Sequence, residues 1–181
     1  MPRVVTVLLC SLVLMLGCVP MTQYNQAESQ LQTYEELNQR LQARIQADQV
    51  EIQQLQDRLK VTVVNEILFG EGGWELDQKG RQTLNKIAPA LKNLTNQRIE
   101  VNGYTDNVPI GPELKSRFPS NWELSTARAT EVVRYLIKEG VNLQLLSATG
   151  FGEQDPVASN STAAGRAKNR RIEIVLVAAN Q

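Results

Sequence analysis

Residues 98–107 read Arg-Ile-Glu-Val-Asn-Gly-Tyr-Thr-Asp-Asn, and residues 120–129 read Ser-Asn-Trp-Glu-Leu-Ser-Thr-Ala-Arg-Ala. The first stretch alternates, with Ile99, Val101 and Gly103 on one side, and predicts a strand over 98–104. The second opens with Ser120 three residues before Glu123, the spacing of a capping box. It predicts a helix that runs to Glu139 and stops at Gly140, with Ala129, Val132, Val133 and Leu136 as its core stripe. Pro109, Gly111, Pro112 and Pro119 make the segment between them a loop. The same alternation extends both ways. Upstream, Val61–Phe69 is β-rich and closed by Gly70-Glu71-Gly72-Gly73. Asp77 then caps a helix to about Asn93, with Leu84, Ile87, Leu91 and Leu94 at helical spacing. Downstream come a strand over Leu145–Gly150, a short helix over Thr162–Lys168 and a last strand over Arg171–Val177. Residues 61–178 are therefore expected to form an α/β (α+β) sandwich, a mixed β-sheet with helices packed on one face.

The chain has 181 residues, with 19 Lys and Arg against 19 Asp and Glu and no histidine. The hydrophobic share of 42% suits a packed core rather than a disordered chain. A balanced charge argues against nucleic acid as a partner, and the basic cluster Arg166, Lys168, Arg170 and Arg171 reads as a solvated face or as pins for the last strand. Without histidine there is no imidazole acid–base catalysis, no Ser-His-Asp triad and no HExxH zinc site. Cys10 and Cys18 both lie near the start, so no thiolate nucleophile or cysteine metal site is available beyond them. No phosphate loop and no GxSxG elbow is present. Ser125-Thr126-Ala127-Arg128 is the nearest approach to SxxK, and arginine cannot serve as a base because it stays protonated. The expectation is a protein that is not an enzyme and uses no cofactor and no metal.

Arg3 precedes an apolar run from Val4 to Leu16, the layout of a secretory signal and too short for a span of about 20 residues. The run ends in Met15-Leu16-Gly17-Cys18, which resembles the lipobox of bacterial lipoproteins. The resemblance implies a signal peptide over 1–17, a lipidated Cys18 and a linker over 18–23. The alternative is an ordinary signal peptide or an uncleaved anchor. Val19 rather than Asp after the cysteine implies the outer membrane, with the domain in the periplasm.

From Tyr24 to Leu59 there is no Gly and no Pro. Positions Tyr24, Leu31, Asn38, Ile45, Ile52 and Leu59 alternate with Ala27, Tyr34, Leu41, Asp48 and Leu55 in the three-four spacing of a coiled-coil seam. A long N-terminal coiled-coil helix is expected over 24–60, about 54 Å long at roughly 1.5 Å per residue. It would act as a stalk, with self-association through residues 24–59. A single helix packed on another partner is the plainer alternative.

A binding pair is the one chemical feature that stands out. Asp106 sits just past a strand end, and Arg128 lies seven residues after Asn121 on one helix face. A partly buried arginine needs a partner. Asp106 and Arg128 could simply pair, tying loop to helix. They could also form an anion site beside a cation site, suited to a zwitterion whose carboxylate Arg128 grips and whose ammonium Asp106 takes.

The blocks Asn102-Gly103-Tyr104-Thr105-Asp106-Asn107, Asn121-Trp122-Glu123-Leu124-Ser125-Thr126-Ala127-Arg128-Ala129, Gly150-Phe151-Gly152-Glu153 and Asn169-Arg170-Arg171-Ile172-Glu173-Ile174 occur in order. Together they resemble the OmpA/MotB/Pal-like peptidoglycan-binding domain, over residues 64–177. The Phe118–Ser125 stretch is more similar to the MotB branch. The resemblance implies noncovalent binding of the peptidoglycan stem peptide, with Asp106 and Arg128 holding the amino and carboxylate end of diaminopimelate. Thr105, Asn121, Leu124 and Arg170 match positions that line that site, and backbone donors near the helix start are expected to assist. Tyr104 stands where many members carry histidine, which is expected to alter the pocket rim. The chain as a whole reads as a lipoprotein tethering the outer membrane to the wall. An envelope scaffold, or a secretion or motility accessory that binds another envelope protein, is the alternative. A wall hydrolase is a further alternative that no residue supports.

Overall fold

The computed structural model describes residues 21–43, 50–55, 57–70 and 72–178. The signal sequence and Cys18 lie outside the described residues. The elements in chain order are α1 (Met21–Gln42), β1 (Val50–Gln54), β2 (Arg58–Val64), α2 (Asn65–Leu68), α3 (Gln78–Leu91), β3 (Gln97–Gly103), α4 (Pro112–Lys115), α5 (Asn121–Lys138), β4 (Leu146–Gly150), α6 (Ala163–Asn169) and β5 (Arg171–Ala178).

The five strands form one mixed sheet in the order β1-β2-β5-β3-β4. β3 and β4 run parallel, and the other neighbours are antiparallel. Period-two alternation puts Leu59, Val61, Val63, Ile99, Val101, Ile172, Ile174 and Leu176 in the core, all fully buried. Leu84, Ile87 and Leu91 from α3 and Ala129, Val132 and Leu136 from α5 complete that core. The predicted caps form as drawn. Asp77 Oδ1 accepts from Gly80 N at 2.6 Å, and Ser120 and Glu123 close the capping box at the start of α5.

The second turn of α5 lies directly on the sheet. A β-carbon on Gly103 would stand 2.3 Å from Ser125 O, and one on Gly150 would stand 2.2 Å from Thr126 Oγ1. Glycine at both strand ends therefore lets α5 approach closely, which brings the loop after β3 beside the helix face that follows Ser120.

Two expectations are corrected. The β-rich run does not continue to Phe69, because Asn65–Leu68 turns into α2. The coiled-coil stalk over 24–60 also fails, because α1 ends at Gln42 and β1 (Val50–Gln54) pairs antiparallel with β2 (Arg58–Val64). Ile52 and Leu59 fit a period of seven, and each also fits the period-two alternation of its own strand, β1 and β2. Pairing of β2 with β5 buries Leu59, Val61 and Val63 together, which a free helix cannot match. The apolar face of α1 is also rotated from the expected seam. Tyr34, Leu37 and Leu41 are buried, while Tyr24 and Leu31 are 60% and 42% exposed. Tyr34, Leu37 and Leu41 join the core of this same chain. Asn38, one of the expected seam positions, instead donates to Gln54 Oε1 of β1.

Candidate functional site

A cavity of about 540 Å³ opens between the loop after β3, the start of α5, α2 and the end of α6. Thr105, Asp106, Asn121, Leu124, Arg128 and Arg170, the six residues singled out in the sequence, all line it. Asn121, Leu124 and Arg128 reach it from one face of α5, at spacings of three and four. Thr105 is fixed by its N–H to Gly152 O at 2.7 Å and by its hydroxyl to Asp106 O at 2.9 Å.

Asp106 and Arg128 do not pair. Asp106 is only 6% exposed. Its Oδ1 accepts from Val108 N at 3.0 Å and its Oδ2 from Arg170 Nη1 at 2.6 Å. Arg170 is a bridge, since its Nε donates to Glu66 Oε1 at 2.9 Å and its Nη2 reaches the same oxygen. The neighbouring carboxylates raise the Arg170 pKa against a desolvation that would lower it. The loop-to-helix ion pair is thus replaced by an Asp106–Arg170–Glu66 relay.

Arg128 is 5% exposed and donates from Nε at 2.9 Å and from Nη2 at 2.5 Å, both to Gly73 O. Phe69 lies under the guanidinium, 5.5 Å from its carbon. Among the described residues Nη1 has no partner, and no carboxylate lies within salt-bridge range. Burial pushes the Arg128 pKa down to about 10, although Glu66 and Asp106 pull it up. A displacement of that size corresponds to about 3 kcal/mol against the charged form. Arg128 stays a cation at neutral pH and lacks the anion that would satisfy it.

The remaining walls are less charged. Asn121 Nδ2 spans Asp106 O, Val108 O and Glu153 Oε2 at 3.2–3.4 Å, so it holds the loop against the helix. Leu124 supplies an apolar wall, and Arg166 adds a further cation at the edge. Part of the backbone N–H set expected to help at the helix start is already engaged within the helix. Ser120 Oγ already accepts from the first turn, and Glu123 folds back on Ser120 N at 2.8 Å. Tyr104 is not a rim residue either. Its ring stacks on Phe151 at 5.0 Å and 9°, with the Arg171 guanidinium 3.7 Å above it.

Glu66 and Gly73 were not anticipated. The polar pair Asn65-Glu66 inside an otherwise apolar run was the available signal for Glu66. Gly73 O carried no signal, because a backbone acceptor has no residue signature. Among the described residues no group of His, Cys, Asp or Glu could hold a metal ion. No described helix is long and apolar enough to cross a membrane.

The OmpA family model matches residues 68–170. Motility protein B of Bacillus subtilis is 35% identical over 130 residues, which is 71% of this chain and 49% of that protein. The peptidoglycan-binding protein ArfA of Mycobacterium tuberculosis is 39% identical over 122 residues, 67% of this chain and 35% of that protein. The probable lipoprotein YiaD of Escherichia coli is 37% identical over 120 residues, 66% of this chain and 52% of that protein. The chain thus spans about half, or less, of the length of these relatives. Among solved structures, a MotB-like protein from Desulfovibrio vulgaris superposes with a TM-score of 0.78 at 32% identity, covering 87% of this chain and 99% of the other. The cell wall anchor of the T6SS from Pseudomonas aeruginosa does so with a TM-score of 0.71 at 36% identity, covering 78% and 96%.

Proposed function

The chain belongs to the OmpA family, and from that premise we propose that it binds the peptidoglycan stem peptide noncovalently, through the zwitterionic end of diaminopimelate. The observation that carries this reading is the Arg128 guanidinium, which sits in the wall of the cavity that also holds Asp106, is held only by the Gly73 carbonyl and has no protein carboxylate beside it among the described residues. A carboxylate placed on its free edge, which opens onto the cavity, gains charge-assisted hydrogen bonds. The ammonium of the same ligand takes Asp106 Oδ2 in place of Arg170 Nη1. Arg170 stays held by Glu66 through its other two nitrogens, so no charge is stranded. Leu124 faces the methylene chain, and Thr105 and Asn121 keep the Asp106 loop in place. A peptidoglycan-binding relative supports the ligand class.

Binding of this kind needs no catalysis. With Cys18 lipidated, the protein would tether the outer membrane to the wall, and the similarity to a probable lipoprotein supports that anchor. The likeness to a secretion-system wall anchor favours a second reading, in which wall contact positions an envelope scaffold. Crosslinking from the exposed face of α1 separates the two, because only a scaffold captures a defined envelope protein there.

The test is cosedimentation of the full chain with diaminopimelate-type sacculi, beside Asp106→Asn. A fragment starting at residue 61 is unsuitable, since it lacks β1 and the buried Tyr34, Leu37 and Leu41. The variant is isosteric, and circular dichroism checks its fold. The expected loss is about a hundredfold, equal to about 2.7 kcal/mol. A folded Asp106→Asn chain that still pellets with the sacculi would sink the clamp.

A further inference from the structure

The two tryptophans of the chain, Trp74 and Trp122, are treated in opposite ways. Trp74 is clasped, with the Phe118 ring edge-on at 5.6 Å and the Arg117 guanidinium 4.0 Å over it. Trp122, the second residue of α5, has no ring or cation partner among the described residues and is 49% exposed. A second cavity, about 430 Å³, opens beside it and shares Pro109, Ile110 and Asn121 with the clamp cavity. Hydrogen-bonding side chains ring this second cavity, among them Asn107, Lys115, Glu153 and Gln154.

A bare indole inside a polar ring suits a pyranose. The axial C–H face of the sugar packs on the indole, while its hydroxyl and acetamido groups meet the surrounding donors and acceptors. A protein partner fits less well, because the other apolar groups there are only Pro109, Ile110 and Pro119. The shared wall of the two cavities meets a covalent constraint of the ligand. A stem peptide held at the clamp is attached to an amino sugar, and a tripeptide spans at most about 10 Å when extended. The common wall at Pro109, Ile110 and Asn121 gives the adjacency that such a linked fragment needs.

We propose that the Trp122 cavity is a glycan subsite that takes the N-acetylated hexosamine carrying the stem peptide bound at Asp106 and Arg128. This rests on the stem-peptide reading of the first cavity. The sugar adds affinity, so the protein prefers intact wall fragments to free peptide. Trp122 does not touch the zwitterion, and its removal leaves the clamp intact.

The test is calorimetric titration of the full chain with two probes. One is a free tripeptide ending in diaminopimelate, and the other is the same tripeptide on its N-acetylated disaccharide. The wild-type chain should bind the glycopeptide about tenfold more tightly than the peptide. Trp122→Ala should bind both with the peptide's affinity. In a Trp74→Phe background, the glycopeptide but not the peptide should shift the remaining tryptophan emission. Equal wild-type affinities, or a tenfold preference that survives Trp122→Ala, would overturn the subsite and leave the stem reading standing. Binding of the glycopeptide alone, abolished in Trp122→Ala, would keep the subsite and sink the stem reading. Binding of neither probe would sink both.

Discussion

Two arginines of this chain are buried almost equally, and their surroundings divide the molecule. Arg171 is 3% exposed and Arg128 is 5% exposed. Arg171 is fully served: Nε reaches Glu173 Oε1 at 2.7 Å, Nη1 reaches Asn169 O at 3.3 Å and Nη2 reaches Asp155 O at 3.1 Å. Tyr104 covers one face of its guanidinium. Arg128 has one carbonyl, shared by two of its nitrogens, and a cavity beside it. A satisfied buried network fixes one arrangement of the core, whereas a half-satisfied one is a cost that persists only if something else completes it. Burial alone therefore does not distinguish a brace from a residue proposed to bind a ligand. The distinction lies in whether the protein itself supplies the counter-ion.

The sharpest way to break this contrast is to replace each guanidinium with a side chain of similar length and no charge. Arg128→Met should weaken sacculus binding by about a thousandfold, roughly 4 kcal/mol. Its urea midpoint should stay level or rise, because a desolvated cation is removed and the Gly73 carbonyl is left facing a wet cavity. A large fall in that midpoint would mean that Arg128 is a brace after all. Arg171→Met should do the reverse. It strands Glu173, which is 7% exposed and, among the described residues, has only Lys60 at 3.8 Å as a remaining cation. The expected cost is about 3 kcal/mol of stability, read from urea unfolding, with binding by the folded fraction within about threefold of wild type. If Arg171→Met were as stable as wild type, the satisfied network would have no structural role.

How much of this was legible in the sequence depended on how local each contact is. The sheet alternation, the Asp77 cap and the capping box at Ser120 use neighbours within a few residues, and all form as read. The six cavity residues were found because they sit on two short blocks and one arginine of the last block. The heptad reading failed at Ile52 and Leu59 because both periods fit them, and the deciding contact is the pairing of β2 with β5 more than a hundred residues on. The same distance hid the charges of the site. Arg170 meets Glu66 across 104 residues, and Arg128 meets Gly73 across 55. The sequence offered Asp106 as the natural partner of Arg128, and only the fold shows that Arg170 takes that place.

The smallest expected effect probes the braced region through its tyrosine. Burial, and then the Glu173 carboxylate, push the Tyr104 pKa up to about 12 against the pull of Arg171. An unfolded tyrosine gives up its proton near pH 10. Between those values the folded state binds more protons than the unfolded state, so stability falls as pH rises from about 10 to about 12. At pH 11 the loss from this one group is about 1.4 kcal/mol. Tyr104→Phe keeps the stack on Phe151 and the guanidinium contact, and it removes the proton. Urea midpoints at pH 8 and pH 11 should therefore differ less in Tyr104→Phe than in wild type by that amount. Equal differences in the two proteins would mean that the phenol ionises as freely folded as unfolded. The packing of Tyr104 between Phe151 and Arg171 would then not be the closed, water-excluding brace that sets this region apart from Arg128.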